Sequence, residues 1–166
     1  THRSMKSPLG LLVATLVLVS CASTDERAAP DAIYAVEPGD GDAVLAALQD
    51  YVDGFTLGKP ELLERSLSST LAKKGYRRAN AAEPYGDAVP LSYEDARALA
   101  ARRGESGEEV DTSRSSVELF EVADKTAAGK VTAFWGIDYV HLVKEDDGRW
   151  RIHHVIWQTE PEPAAK

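Results

Sequence analysis

Asp138 and His154 are side chains of the types that can move a proton between them. A carboxylate and an imidazole do general acid and base work once burial has raised the one pKa and lowered the other. Tyr51 offers a third group, because a buried phenol needs a hydrogen-bond partner and can present its hydroxyl to a ligand. The same Asp138 and His154 could instead brace a curved sheet as a satisfied polar pair. A ligand-facing role predicts that Asp138→Asn weakens binding more than stability; a bracing role predicts the reverse.

Other chemistries find less support. His141, His153 and His154 have no Cys or Glu at ligand spacing, and neighbouring residues of a strand point to opposite faces. His153 and His154 therefore cannot share one ion without a bulge, and no metal site is expected. No Gly-rich phosphate loop, GxSxG elbow or Cys/His nucleophile pair is present, and no cofactor is expected.

The elements that must position these groups centre on Val131 to Trp157, where β-branched and aromatic residues run on both sides of Asp147-Gly148. This stretch predicts two long strands and a tight turn. A type I turn closed by a Gly bulge places Phe134, Asp138, Val140, Leu142, Trp150, Ile152, His154 and Ile156 on one face. Trp135, Tyr139, His141, Val143, His153 and Trp157 then share the other. A two-residue loop would instead set His141 opposite His154. The bulged register is preferred because it gathers the aliphatic residues, and it makes Asp138 and His154 diagonal neighbours within side-chain reach.

Upstream, Asp42 can cap a helix to about Phe55 with Val44, Leu48, Tyr51, Val52 and Phe55 on one stripe. Pro60 suits the first position of a second helix, Glu61 to Leu67. Ser68 to Arg78 carries Lys73, Lys74, Arg77 and Arg78, read as a solvated loop with anion binding as the alternative. Ser92 caps a third helix that ends near Gly104. Strands follow from Ser116 to Asp124 and from Lys130 to Lys144, with a turn at Ala127-Ala128-Gly129. Helices first and a long meander last predict an α+β fold: three N-terminal helices packed against a strongly curved antiparallel sheet, a cone-shaped barrel.

Net charge is −8, with acidic residues spread along the chain, which argues against nucleic acid as a partner. Residues 1–20 are expected to be a signal peptide, with an extension before Met5: Lys6, an apolar run from Pro8 to Val19, then small residues. Leu18-Val19-Ser20-Cys21 resembles a bacterial lipobox. Cys21 is the only cysteine, so it is expected to carry lipid and hold the protein to a membrane of the cell envelope on the extracytoplasmic side. Residues 21–41 are expected to form the lipidated tether, 42–159 the domain and 160–166 a tail.

The helix YVDGFTLGKPELLERSL, the following LAKKG, the LSYEDARALA helix and above all WGIDYVHLVKEDDGRWRIHHVIW resemble the putative lumazine-binding family of the nuclear-transport-factor-2-like (SnoaL-like) superfamily. The resemblance covers about Asp42 to Trp157. It implies a cone with a pocket at its wide end. The family often has His-Pro after the second helix, where this chain has Ser68-Ser69, so no role of that histidine carries over.

Together these readings predict a membrane-anchored, extracytoplasmic small-molecule-binding module. Tyr51, Phe55, Phe134 and Trp150 would supply faces, and Asp138 and His154 polar points, for a flat, mostly apolar ligand. The alternatives are an isomerase or dehydratase using Asp138 as base with His154 or Tyr51, and a protein-interaction or assembly lipoprotein. Trp135, Tyr139 and Trp157 are expected to cover one sheet face in a homodimer.

Overall fold

A computed structural model describes Thr1 and residues 37–160. The expected signal peptide beyond Thr1, Cys21, the expected tether up to residue 36 and the expected tail from 161 to 166 lie outside the described residues.

Helix α1 (Asp40–Thr56) begins two residues before the expected cap. Gly39 enters it in the left-handed region, at φ 94°, and Asp40 and Asp42 sit in the first turn, where the helix dipole favours anions. The expected stripe is the buried one: Val44, Leu48, Tyr51, Val52 and Phe55 all face the core. Helix α2 (Pro60–Ser66) starts on its proline. The segment from Ser68 onward is not a loop but strand β1 (Leu67–Tyr76), with Leu71, Lys73 and Gly75 turned inward by alternation.

After β2 (Val89–Leu91) comes α3 (Tyr93–Ser106). Ser92 Oγ accepts from the Asp95 N–H at 3.1 Å, as its capping pattern predicts. The helix ends at Gly107 rather than near Gly104. Gly104 lies inside it because a Cβ there would stand 2.5 Å from the Gly58 carbonyl oxygen, so its role is close approach, not termination.

Strands β3 (Ser116–Val122), β4 (Thr126–Ala133), β5 (Gly136–Lys144) and β6 (Trp150–Gln158) complete the sheet, in the order β2-β1-β6-β5-β4-β3. Ala127 to Gly129 belongs to β4 and not to a turn. The long run from Lys130 to Lys144 is instead divided at Phe134-Trp135, where Gly136 takes φ 139°. The sheet is mixed, since β1 runs parallel to β6 while the other pairings are antiparallel. Three helices on a six-stranded sheet give the expected α+β class.

The β5–β6 hairpin carries two irregularities, and together they decide the site. At the turn, Gly148 sits at φ 79° and its N–H donates to the Glu145 carbonyl, giving the anticipated Gly bulge. Leu142 then pairs with Ile152, but His153 is an extra residue, and beyond it His141 pairs with His154. The second bulge reverses the alternation, so Val155 and Trp157 join Trp150 and Ile152 under the helices while His154 and Ile156 turn out. Burying Val155 and the Trp157 ring in place of the His154 imidazole and the Ile156 side chain is the favourable exchange, because it keeps a polar ring out of the core and buries a larger apolar one.

Candidate functional site

Asp138 stands at the centre of a buried polar network. Alternation along β5 turns it inward with Val140 and Leu142, and it has no solvent exposure. Its Oδ2 accepts from the Tyr51 hydroxyl and, at 2.8 Å, from the Lys73 ammonium, while its Oδ1 accepts from the Trp135 indole N–H at 2.9 Å. Lys73 also donates to the Tyr51 oxygen at 2.5 Å. Helix α1, β1, the β4–β5 turn and β5 thus each place one group at a single point.

A charge taken this far from water is tolerated only when paired and hydrogen-bonded, which this carboxylate is on both oxygens. Tyr51 is pushed well above the ordinary phenol range, first by burial and then by the adjacent Asp138 charge, so its hydroxyl keeps its proton and stays a donor. Burial pulls the Lys73 ammonium below its ordinary value, and Asp138 opposes that shift. The rings of Tyr51, Phe55, Trp135 and Trp157 surround the ammonium at 5.2 to 5.9 Å from their centroids.

Beside this network lies a cavity of about 460 Å³. Phe55, Leu91, Leu99, Phe134, Trp135 and Trp157 form its apolar walls, and Lys73, Arg77 and Arg103 its charged positions. Its size falls in the usual range for small-molecule sites, roughly 300 to 1,000 Å³. Lys73 is the one member of the polar network besides Trp135 that reaches it. Two of the three ammonium hydrogens are used on Tyr51 and Asp138.

Of the residues singled out in the sequence, Tyr51, Phe55 and Asp138 are brought together, and Phe134 joins them through Trp135, ring centroids 5.0 Å apart. The expected Asp138–His154 pair is not made. The bulge at His153 puts His154 on the outer face, where its ring stacks on His141 at 5.4 Å. His153 meets the Glu145 carboxylate at 3.0 Å. Trp150 faces inward but away from the cavity, donating to Asp40 Oδ1 at 2.9 Å. Trp135 and Trp157, placed by the sequence on a dimer face, instead form the cavity walls, and only Tyr139 of that trio is on the outside.

Arg103 and the inward Trp135 were not anticipated as ligand-facing groups, and Lys73 was read first as part of a solvated loop, with anion binding as the alternative. The alternation Leu71-x-Lys73-x-Gly75 was the available signal for Lys73, and the three nearby cations Lys74, Arg77 and Arg78 concealed it by resembling a solvated loop. Among the described residues no cluster of three His, Cys, Asp or Glu side chains is arranged to hold a metal.

The family described as "Putative lumazine-binding" matches residues 39–158, most of the chain. The chain belongs to this family. The matched span holds α1 through β6 and, with them, every residue of the polar network. The fold is similar to that of an NTF2-like protein of unknown function from Silicibacter pomeroyi, at TM-score 0.55 and 20% identity over 74% of this chain and 98% of that one. An NTF2-like protein of unknown function from Shewanella baltica gives TM-score 0.54 and 14% identity, over 76% and 98%. One from Methylobacillus flagellatus gives 0.51 and 18%, over 75% and 95%. At these identities the likeness is one of fold. No curated protein matches the chain in sequence.

Proposed function

We propose that this member of the family binds a flat, mostly apolar small molecule in the cavity between α1, α3 and the inner face of the sheet. The observation that carries the reading is the aromatic-walled cavity of about 460 Å³, with Lys73 as the member of the polar network that lines it beside Trp135. The family's description names lumazine, a planar bicyclic ring system, and aromatic walls suit a ligand of that shape.

An isomerase or dehydratase with Asp138 as base is less well supported. Both carboxylate oxygens are occupied by donors and neither reaches the cavity, so proton abstraction would first require Lys73 or Tyr51 to turn away. An assembly role would suit a space filled by the chain's own side chains, and here the space stands open.

The test is native mass spectrometry of the protein purified from its own host, alongside Leu99→Trp. Leu99 is on the cavity wall and partly exposed, so a larger ring there occupies the space without disturbing the core. A retained small molecule that disappears in Leu99→Trp at unchanged melting temperature supports the reading. A molecule retained equally by both proteins would place it elsewhere.

The reading also places the protein on an envelope membrane through lipid on Cys21, supported by the Leu18-Val19-Ser20-Cys21 pattern. Unchanged membrane recovery of Cys21→Ala in fractionation would remove that part. Self-association through the outer sheet face is supported by the exposed register partners Tyr139 and Ile156. A monomeric mass by light scattering at micromolar concentration would count against it.

A further inference from the structure

The cavity has a charge as well as a shape. Its charged lining residues are all cations, Lys73, Arg77 and Arg103, and no Asp or Glu lines it, in a chain whose net charge is −8. Lys73 is matched by Asp138. Arg77 has no ion pair with any described residue, and its guanidinium lies over the Trp157 ring at 5.2 Å. Arg103 is stacked on Phe134 at 4.5 Å, and its Nη1 is buried without a hydrogen bond. The Glu108 carboxylate is 3.8 Å from that atom, too far for one.

A buried donor with no acceptor costs stability, and like charges held at one cavity repel. Both costs fall if the occupant brings an acceptor with negative charge. Both guanidinium groups also lie over aromatic faces that line the cavity, Arg103 over Phe134 and Arg77 over Trp157, so the cations stand beside the rings an apolar ligand would meet. Resting on the cavity reading above, we infer that the ligand is a planar apolar acid, ionised at neutral pH, whose anionic group meets Arg103 and Arg77 while its ring lies among Phe55, Phe134, Trp135 and Trp157.

Calorimetric titration of the full chain with naphthoate and with naphthamide, its uncharged counterpart of similar shape, tests this. The acid should bind about tenfold or more tighter than the amide, the scale of a charge-assisted contact. Raised salt should weaken the acid alone. Arg103→Gln and Arg77→Gln should each bring the two affinities toward parity by weakening the acid, while Arg103→Lys keeps most of the preference. Arg77 is at the cavity margin and anchors no ion pair, so its variant carries the test if Arg103→Gln melts early. Equal binding of acid and amide by the parent protein would overturn the charge inference and leave the cavity reading in place. Binding of neither would overturn both, and acid binding unaffected in both glutamine variants would overturn the assignment to these arginines.

Discussion

The Lys73 ammonium and the Asp138 carboxylate meet at 2.8 Å where neither side chain is appreciably exposed, 65 residues apart in sequence. The contact fastens β1 to β5 across the intervening β6 and lies directly behind the cavity wall. It also makes the site and the core the same object, so mutations there are expected to register in stability as well as in binding.

Removing one member of the pair leaves a buried charge without its partner. Asp138→Asn is expected to cost about 3 to 5 kcal/mol, the scale for breaking a buried ion pair, read from denaturant midpoints. This reverses the ligand-facing expectation drawn from the sequence, because the carboxylate is spent on Lys73, Tyr51 and Trp135 and not on the cavity. Lys73→Met combined with Asp138→Asn should cost clearly less than the two single changes added together. Strict additivity would show that the two charges are not coupled.

Tyr51→Phe keeps the ring that packs edge-on against Phe55 and Trp135 and deletes only the hydroxyl. Asp138 and Lys73 each lose a hydrogen-bond partner, so a loss of about 1 to 3 kcal/mol is expected. The cavity walls are untouched, since Tyr51 does not line it. Ligand affinity measured below the melting transition should therefore stay within a few-fold of the parent, whereas a catalytic or ligand-contacting hydroxyl would show a larger loss.

What the sequence disclosed and what it concealed follow from the range of the forces involved. The α1 stripe, the Ser92 cap and the Gly148 turn are local features, set by periodicity and short-range hydrogen bonding, and all three are found. The site depends on His153, one extra residue whose effect is felt only when β6 must choose which face to bury. Both registers offer aliphatic residues to the core, so pattern alone does not separate them; the bulk of Trp157 against β1 does. Lys73 was hidden for a related reason. A lysine turns inward only when a carboxylate from a distant strand awaits it, and that pairing is a property of the assembled sheet.

The Trp157 ring lies on β1 because Gly75, its register partner there, has no side chain. A Cβ at Gly75 would come within 2.1 Å of the indole. Gly75→Ala is therefore expected to push the ring into the cavity, costing about 1 to 3 kcal/mol as overpacking does. Ligand binding should fall with it, and tryptophan emission should shift as the indole leaves its place. A stable variant with parental emission and affinity would mean that the ring has free room to move.

At the far end of the inner face, Asp40 accepts from the Trp150 indole at 2.9 Å and pairs with Lys144 at 3.0 Å. The Trp150 hydrogen bond, with further help from Lys144, holds the Asp40 carboxyl below the usual carboxylate range against the opposing effect of burial. Its folded pKa being lower than its unfolded one, the carboxylate contributes stability that is fully present above the unfolded value, about 4, and is lost as pH falls through the lowered folded value. Lys144 has the opposite sign. Hydrogen bonds to Glu37 and Asp40 raise it, so its contribution is present below the unfolded lysine value, about 10.4, and is lost as pH rises through the raised folded one. Asp40→Asn should therefore lower stability at neutral pH and flatten its decline below about pH 4, leaving parent and variant closer together in acid than at neutrality. Denaturant midpoints for both proteins across that range measure the difference, and a gap that stays constant with pH would show that the Asp40 proton is not linked to folding.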